Sequence, residues 1–371
     1  MKAHSKKKLI VTSVGSLVGQ NVLDALNGRR DHLIIIGTNS IVEAANNFRC
    51  DKAFLVPPAV ETARYEASLR SIISEEGPDL VVPGRDDDIV ILADLKAQLP
   101  DFADRFLVGN GQFARAMDDK VESYRFAKKY GLPFSPTLRS AGVEIENELR
   151  RMVEAYGFPL IAKPIKGNGS RGIWVVTNQQ QLDNVSKEPG FAIQPLLGVR
   201  PDLTIDTRFG LPFVWQIPEN KLYATQSLID RDGNIVDSIG FFSKMVAGKC
   251  ERLERCTDPE LLRITRHFAE SAVTEGWLGP FNLQLKKDPA HGYQAIEMNG
   301  RFSGGTSARY YLGFDEVGKM VNLWTGSQIV AANSRAEGTD MVTKTLTDFP
   351  INNADMERMR ENGLWDRSTN T

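Results

Sequence analysis

The run FNLQLKKDPAHGYQAIEMNGR at residues 281–301 constrains the chain more tightly than any other stretch. It reads as two strands around the turn KKDPAHG. Neighbouring side chains on a strand face opposite ways, so Phe281, Leu283 and Leu285 fall on one side and Asn282 and Gln284 on the other. On the second strand Ile296 and Met298 separate from Ala295, Glu297 and Asn299. A hairpin paired this way turns Gln284, Glu297 and Asn299 onto one face, all of them offering oxygen. Hard oxygen ligands with little charge suit Mg²⁺, which keeps several waters and shares substrate phosphates. Arg301 follows directly, and its planar fork matches phosphate oxygens. The same pattern also describes a hairpin with a solvated polar face, and the rest of the chain has to decide between the two.

At 371 residues the chain exceeds the usual size of a single core, which implies two or three domains. Hydrophobic content of 42% and charged content of 25% describe a globular protein. A net charge of −2 gives no support for nucleic acid as a partner. No apolar run approaches the roughly 20 residues that cross a bilayer, and LIVTSVG after the N-terminal lysines is too short for a signal peptide. No membrane partner is therefore expected. Cys50, Cys250 and Cys256 form no CxxC pair and read as free thiols in a reducing compartment, with the cytoplasm as default location. His4, His32, His267 and His291 are scattered and suggest neither a zinc site nor a catalytic dyad.

Residues 1–112 alternate strand and helix. KLIVTSV, HLIIIGTN, DKAFLVPP, DLVVPG and RFLVGN read as strands, with helices over QNVLDALNG, ARYEASLRSIISEEG and DDIVILADLKAQL. Such alternation implies an open parallel sheet of Rossmann type. NAD is not the expected ligand. The first turn lacks a full G-x-G-x-x-G, and Thr38-Asn39 stands where an acid would hold the ribose.

From Gln112 the pattern changes. QFARAMDDKVESYRFAKKYG reads as one helix stopped at Gly131, and ENELRRMVEAYG as a second. FPLIAKPI and GIWVVT are strands that flank the loop GNGSRG. Gly167, Gly169 and Gly172 thus spell G-x-G-x-x-G between two strands with no helix after it. That context suits a glycine loop covering ATP phosphates rather than a dinucleotide fingerprint. Lys163 just precedes the loop as a point charge for phosphate. An ordinary glycine hairpin beside a surface lysine is the plain alternative. FAIQPLL and DLTIDTRF follow, then a β-rich middle with Asp232-Gly233-Asn234 as a hairpin turn. LLRITRHFAESAVTEG is an amphipathic helix, QIVAANS a last helix after Gly326, and the remaining tail is polar without a packing period.

The order of these parts resembles the ATP-grasp family, and in the hairpin above all the large subunit of carbamoyl-phosphate synthetase. The matching pieces are DDKVESYRFAKKYGLPFSPT, FPLIAKPIKGNGSRGIWVV, AIQPLLG with DLTID, GPFNLQL and IEMNGRFSGGTS, across about residues 110–312. The resemblance implies an α/β chain, α+β in its grasp part: a pre-ATP-grasp Rossmann-like domain at 1–112, an ATP-grasp domain at 113–330 and a C-terminal extension at 331–371. Residues of about 120–195 would contain the glycine-loop lid.

Roles follow from the same resemblance, residue by residue. Lys120 and Lys163 would contact the nucleotide phosphates under a loop made by Gly167, Gly169, Ser170 and Gly172. Gln194, Pro195 and Leu197 mark the hinge whose main-chain groups read adenine. Asp202 stands where the family commonly carries a glutamate on the ribose hydroxyls. Gln284, Glu297 and Asn299 would hold Mg²⁺, with Mn²⁺ as a substitute, and Arg301 would stabilise the transferring phosphoryl group. Ser303, Gly304 and Arg309 are candidates for a substrate carboxylate, although this segment reads equally as a loop-to-helix junction. Two departures stand out. The family's N-P-R reads Asn299-Gly300-Arg301, and Gln284 replaces the commoner glutamate, as in the synthetase-like members.

The implied activity is an ADP-forming ligase that activates a small carboxylic or amino acid as an acyl phosphate and couples it to an amine. Small-molecule substrates are the expected partners, and family habit implies a homodimer. A grasp-type kinase acting on a hydroxyl and a non-catalytic ATP sensor are the alternatives.

Overall fold

In a computed structural model that describes residues 6–142, 145–167, 171–198, 222–246, 249–331 and 339–369, the first third of the chain alternates strand and helix. Its elements are β1 (Lys7–Val11), α1 (Leu17–Ala25), β2 (Leu33–Asn39), β3 (Lys52–Leu55), α2 (Thr62–Glu76), β4 (Leu80–Val82) and α3 (Asp86–Gln98). The four strands are parallel, with β1 between β2 and β4 and with β3 outside β2. This is the strand order of half a dinucleotide-binding sheet. Ser16 caps α1 by accepting from the Gly19 N–H. Gly19 itself has no room for a side chain, since a Cβ would lie 2.3 Å from the Val14 carbonyl oxygen. RFLVGN, expected as a strand, is not one: Phe106 makes a single parallel bridge to Val81 and the chain turns away.

The helix expected over 112–131 is two helices, α4 (Gly111–Asp118) and α5 (Lys120–Lys129). Asp119 divides them. Its carboxylate accepts from the Val121 and Glu122 N–H groups, so the residue caps a new helix instead of continuing the old one.

Next come β5 (Leu138–Arg139), α6 (Ile145–Tyr156), β6 (Leu160–Pro164), β7 (Trp174–Val176), α7 (Gln179–Lys187) and β8 (Phe191–Pro195). The strands form a small sheet in the order β5-β8-β6-β7. Leu149, Met152, Leu160, Leu182 and Ile193 supply its separate core. The strands on either side of the glycine loop, β6 and β7, pair antiparallel as the motif's context required.

The last large unit contains β9 (Leu222–Ile229), β10 (Ile235–Val246), β11 (Lys249–Cys256), α8 (Pro259–Thr274), β12 (Gly279–Asp288), β13 (Gly292–Asn299), α9 (Thr306–Tyr311), α10 (Glu316–Thr325) and β14 (Met341–Thr343). Its strands make one sheet, β13-β12-β9-β10-β11-β14. Gly233 turns the β9–β10 hairpin at φ +82°. The helix expected over QIVAANS is misplaced: α10 ends at Gly326, and residues 328–331 are not helical. The apolar face of β12 behaves as its alternation requires, with Phe281, Leu283 and Leu285 buried against Phe113, Phe268 and Trp277.

The C-terminal stretch, read as a polar tail, in part rejoins the first sheet. After α11 (Asn353–Asn362), β15 (Leu364–Asp366) pairs antiparallel with β3. Met359 and Trp365 are buried there with Val42 and Phe48. No helix among the described residues is long and apolar enough to cross a membrane.

Candidate active site

Gln284 lies directly opposite Glu297, and Asn282 opposite Asn299, in the β12–β13 ladder. Glu297 and Gln284 therefore share a face, as the alternation predicts. Between Gln284 and Leu285 the register slips, so that Leu285 faces Ala295 and Ile296 is the extra residue. This bulge corrects the strict alternation: Ala295 joins Met298 in the core instead of sharing the polar face with Glu297. It also leaves the Ile296 carbonyl for a partner outside the ladder. Lys163 of β6 is that partner, and its Nζ donates to Ile296 O at 3.0 Å. Lys163 is only 6% exposed. Burial pushes its ammonium down to about 8, with the Glu297 carboxylate opposing that shift and Lys120 adding to it.

Lys120, at the first turn of α5, is 7% exposed and donates from Nζ to Gly167 O at 3.0 Å. Its own N–H holds Ile165 O at 3.2 Å, which fixes the stem of the glycine loop on the α5 N-terminus. One narrow cleft is lined by Lys120, Gly167, Glu297 and Asn299, together with Asp86 and Asp118. Asp118 is paired with Lys166 at 2.7 Å. Thus Lys120, Gly167 and two of the three oxygen ligands named from sequence line one cleft, and Lys163 is bonded to the same hairpin.

Arg301 leaves the end of the hairpin and meets the first domain. Its Nε and Nη2 donate to the two oxygens of Asp86 at 2.6 and 2.7 Å, and Nη1 donates to Phe302 O at 2.9 Å. Burial works against the guanidinium charge, but Asp86 and then Glu297 outweigh it, so Arg301 is a stronger base than usual. The Asn299 amide, oriented by its surroundings, donates to Asp86 Oδ1 at 3.1 Å and to Met298 O at 3.2 Å. Asp86 was missed from sequence, although it opens α3 just beyond the carboxyl end of β4, where open α/β sheets collect ligands. Gly300 explains the departure from N-P-R. The Trp277 indole runs across it, and a Cβ would lie 2.2 Å from that ring. The indole is itself fixed by its N–H on Pro280 O at 3.0 Å.

The other candidates divide. Gly167 and Gly172 have φ of +120° and +69°, which other residues rarely adopt, whereas Gly169, Ser170 and Asp202 lie outside the described residues. Gln194 is buried and donates to Thr137 Oγ1 at 2.7 Å, so its side chain belongs to the core rather than to a ligand. Pro195 ends β8 opposite Leu160, and Leu197 is buried. Arg309 is not a carboxylate receptor. It is fully buried, bonded to Glu316, Thr306 and Ser303, and stacked on Phe241. Ser303 Oγ is engaged by Arg309 and by the Gly305 N–H. The Gly304 carbonyl accepts from Lys344 just beyond β14. The segment 303–309 is thus an internally bonded turn into α9.

Residues 119–192 match the family model described as carbamoyl-phosphate synthase L chain, ATP binding domain. Mitochondrial pyruvate carboxylase of Rattus norvegicus is 30% identical over 138 residues, which are 36% of this chain and 12% of that protein's length. N5-carboxyaminoimidazole synthetase from Staphylococcus aureus, complexed with ADP, superposes at a TM-score of 0.65 with 11% identity, covering 88% of this chain and 79% of that one. The biotin carboxylase domain of Hydrogenobacter thermophilus 2-oxoglutarate carboxylase, complexed with MgADP, ADP and bicarbonate, gives 0.62 with 16% identity over 88% and 73% of the two chains. The chain has the fold of these ATP-grasp structures. Its nucleotide segment is similar to that of the carbamoyl-phosphate synthase large chain.

The Gly300 contact yields a stability test. Gly300→Ala must displace the Trp277 ring and is expected to destabilise the fold by about 1–3 kcal/mol in urea unfolding; an unchanged midpoint would show that the indole yields freely.

Proposed function

We propose that the chain is an Mg-ATP-dependent, ADP-forming ligase that joins a small carboxylic or amino acid to an amine. The observation that carries this reading is the convergence of buried Lys120, Glu297, Asn299 and Gly167 in one cleft, with buried Lys163 reaching the same hairpin at Ile296. Buried ammonium groups resting on main-chain carbonyls are matched to a polyanion that displaces those bonds. The structural relatives with bound ADP and MgADP support the same occupant.

The donor set fits Mg²⁺: one carboxylate from Glu297 and amide oxygens from Asn299 and Gln284, all hard ligands with little charge. When bound, the ion would neutralise charge on the phosphate oxygens. The protein's own groups do the rest. Lys120 and Lys163 hold the phosphates, and Arg301 stabilises charge as the substrate carboxylate attacks the γ-phosphoryl group. An acyl phosphate and ADP result, and the amine then displaces phosphate. No side-chain nucleophile is needed.

ADP release is to be measured with Mg-ATP across a panel of carboxylates, amino acids and amines, beside Glu297→Gln. Release that depends on one acid–amine pair and falls at least about 100-fold in the variant is expected. ADP formed with a stable phosphorylated product and no amide would instead indicate a kinase, and nucleotide binding without ADP a sensor.

Lys163 adds a pH signature. Its ammonium is protonated below about 8 and neutral above, so affinity for Mg-ADP is expected to fall as pH rises from about 7.5 to 9.5, by on the order of tenfold. Lys163→Arg should remove the fall, because guanidinium stays charged throughout. Titration calorimetry across that range checks it, and a flat wild-type profile would separate Lys163 from the phosphates.

A further inference from the structure

Three acids in succession open α3, and each does something different. Asp88 is fully buried and bonded to Thr12, Ser13 and Tyr65. Asp87 is half exposed and pairs with Arg85 at 3.4 Å. Asp86 alone turns to the hairpin, where it grips Arg301 in a two-pronged pair between side chains only 13% and 10% exposed. The same carboxylate accepts from the Asn299 amide at 3.1 Å. It therefore touches both the residue assigned to the transferring phosphoryl group and a residue assigned to the metal.

A buried arginine without a partner seeks the nearest anion. Besides Asp86, the carboxylate whose charge acts on Arg301 is Glu297, which lines the cleft that Asp86 also lines. Collapse of the arginine onto Glu297 would neutralise the main metal ligand and take the guanidinium out of position. Asp86 prevents this geometrically, since the fork is filled from the side of the first domain.

We propose that Asp86 is a positioning residue of the ligase site: it aims Arg301 and the Asn299 amide, and it keeps Arg301 off Glu297. The inference rests on the ligase reading given above. It assigns the first domain a part in the chemistry, through a contact between residues 215 positions apart in sequence.

Asp86→Asn keeps the shape and removes the charge. With the acid–amine pair that wild type uses, kcat for ADP release is expected to fall about 10- to 100-fold, while Kd for Mg-ADP stays within about threefold. Combined with Arg301→Lys, it should add no further loss, because both act through one contact. A wild-type kcat overturns the proposal, and so does a Kd that rises in step with an unchanged kcat, which would make Asp86 a nucleotide ligand. Should Asp86→Asn not fold, Asp86→Glu carries the test. It keeps the charge but shifts the fork, so kcat should fall at constant Kd, and a wild-type kcat again overturns the proposal. Wild type that neither binds Mg-ADP nor releases ADP with any pair removes the ligase reading and this inference with it. An active wild type with an indifferent Asp86→Asn removes the inference alone.

Discussion

Two ammonium groups taken out of water in one place are the constraint from which the site's architecture follows. Lys120 and Lys163 are both nearly inaccessible, and their hydrogen bonds go to the carbonyls of Gly167, Ile165 and Ile296. Burying an ammonium costs several kcal/mol unless well-placed partners offset it. Main-chain carbonyls can do so only where the backbone departs from regular pairing, and two departures supply them. One is the bulge at Ile296; the other is the glycine-loop stem after β6. The irregular backbone that looks like a defect in the ladder is thus what seats the charges. Under the proposed function, an incoming polyanion would exchange these carbonyl contacts for charge-assisted ones.

The hairpin also ties two parts of the chain together. Its apolar face packs on α4 and α8, while its exit delivers Arg301 to Asp86 on α3. A second contact also joins the N-terminal part to the helices after the hairpin: Arg29 holds Asp315 at 2.6 Å and lies over the Tyr310 ring. Gly300 sits at the crossing, pressed on Trp277. A proline at this position, as in the commoner motif, would meet the indole. The substitution in the motif and the tryptophan behind it therefore belong to one packing solution.

Local chemistry was readable from the sequence, and long-range pairing was not. The strand–helix alternation, the antiparallel strands around the glycine loop and the shared face of Gln284 and Glu297 all follow from short-period patterns. The bulge was invisible because one inserted residue flips every later side chain without altering composition. Asp119 has the chemistry of a helix cap, but the helical run on both sides of it hides the break. Arg309 looked like a ligand-binding cation, yet its partner Glu316 lies just seven residues on and both are enclosed. The pairing of β15 with β3 and the Asp86–Arg301 contact join distant segments, and no local pattern reports them. Even so, the length of the C-terminal stretch left room for a strand that a reading by period alone could not assign.

Under the proposed function this cleft holds the phosphates of Mg-ATP. A crystal structure with Mg²⁺ and a non-hydrolysable ATP analogue tests it most directly. Phosphate oxygens are expected about 3 Å from the Nζ atoms of Lys120 and Lys163, with the metal on Glu297 and Asn299. A nucleotide bound elsewhere, or lysines still resting on the Gly167 and Ile296 carbonyls with nucleotide present, would contradict it.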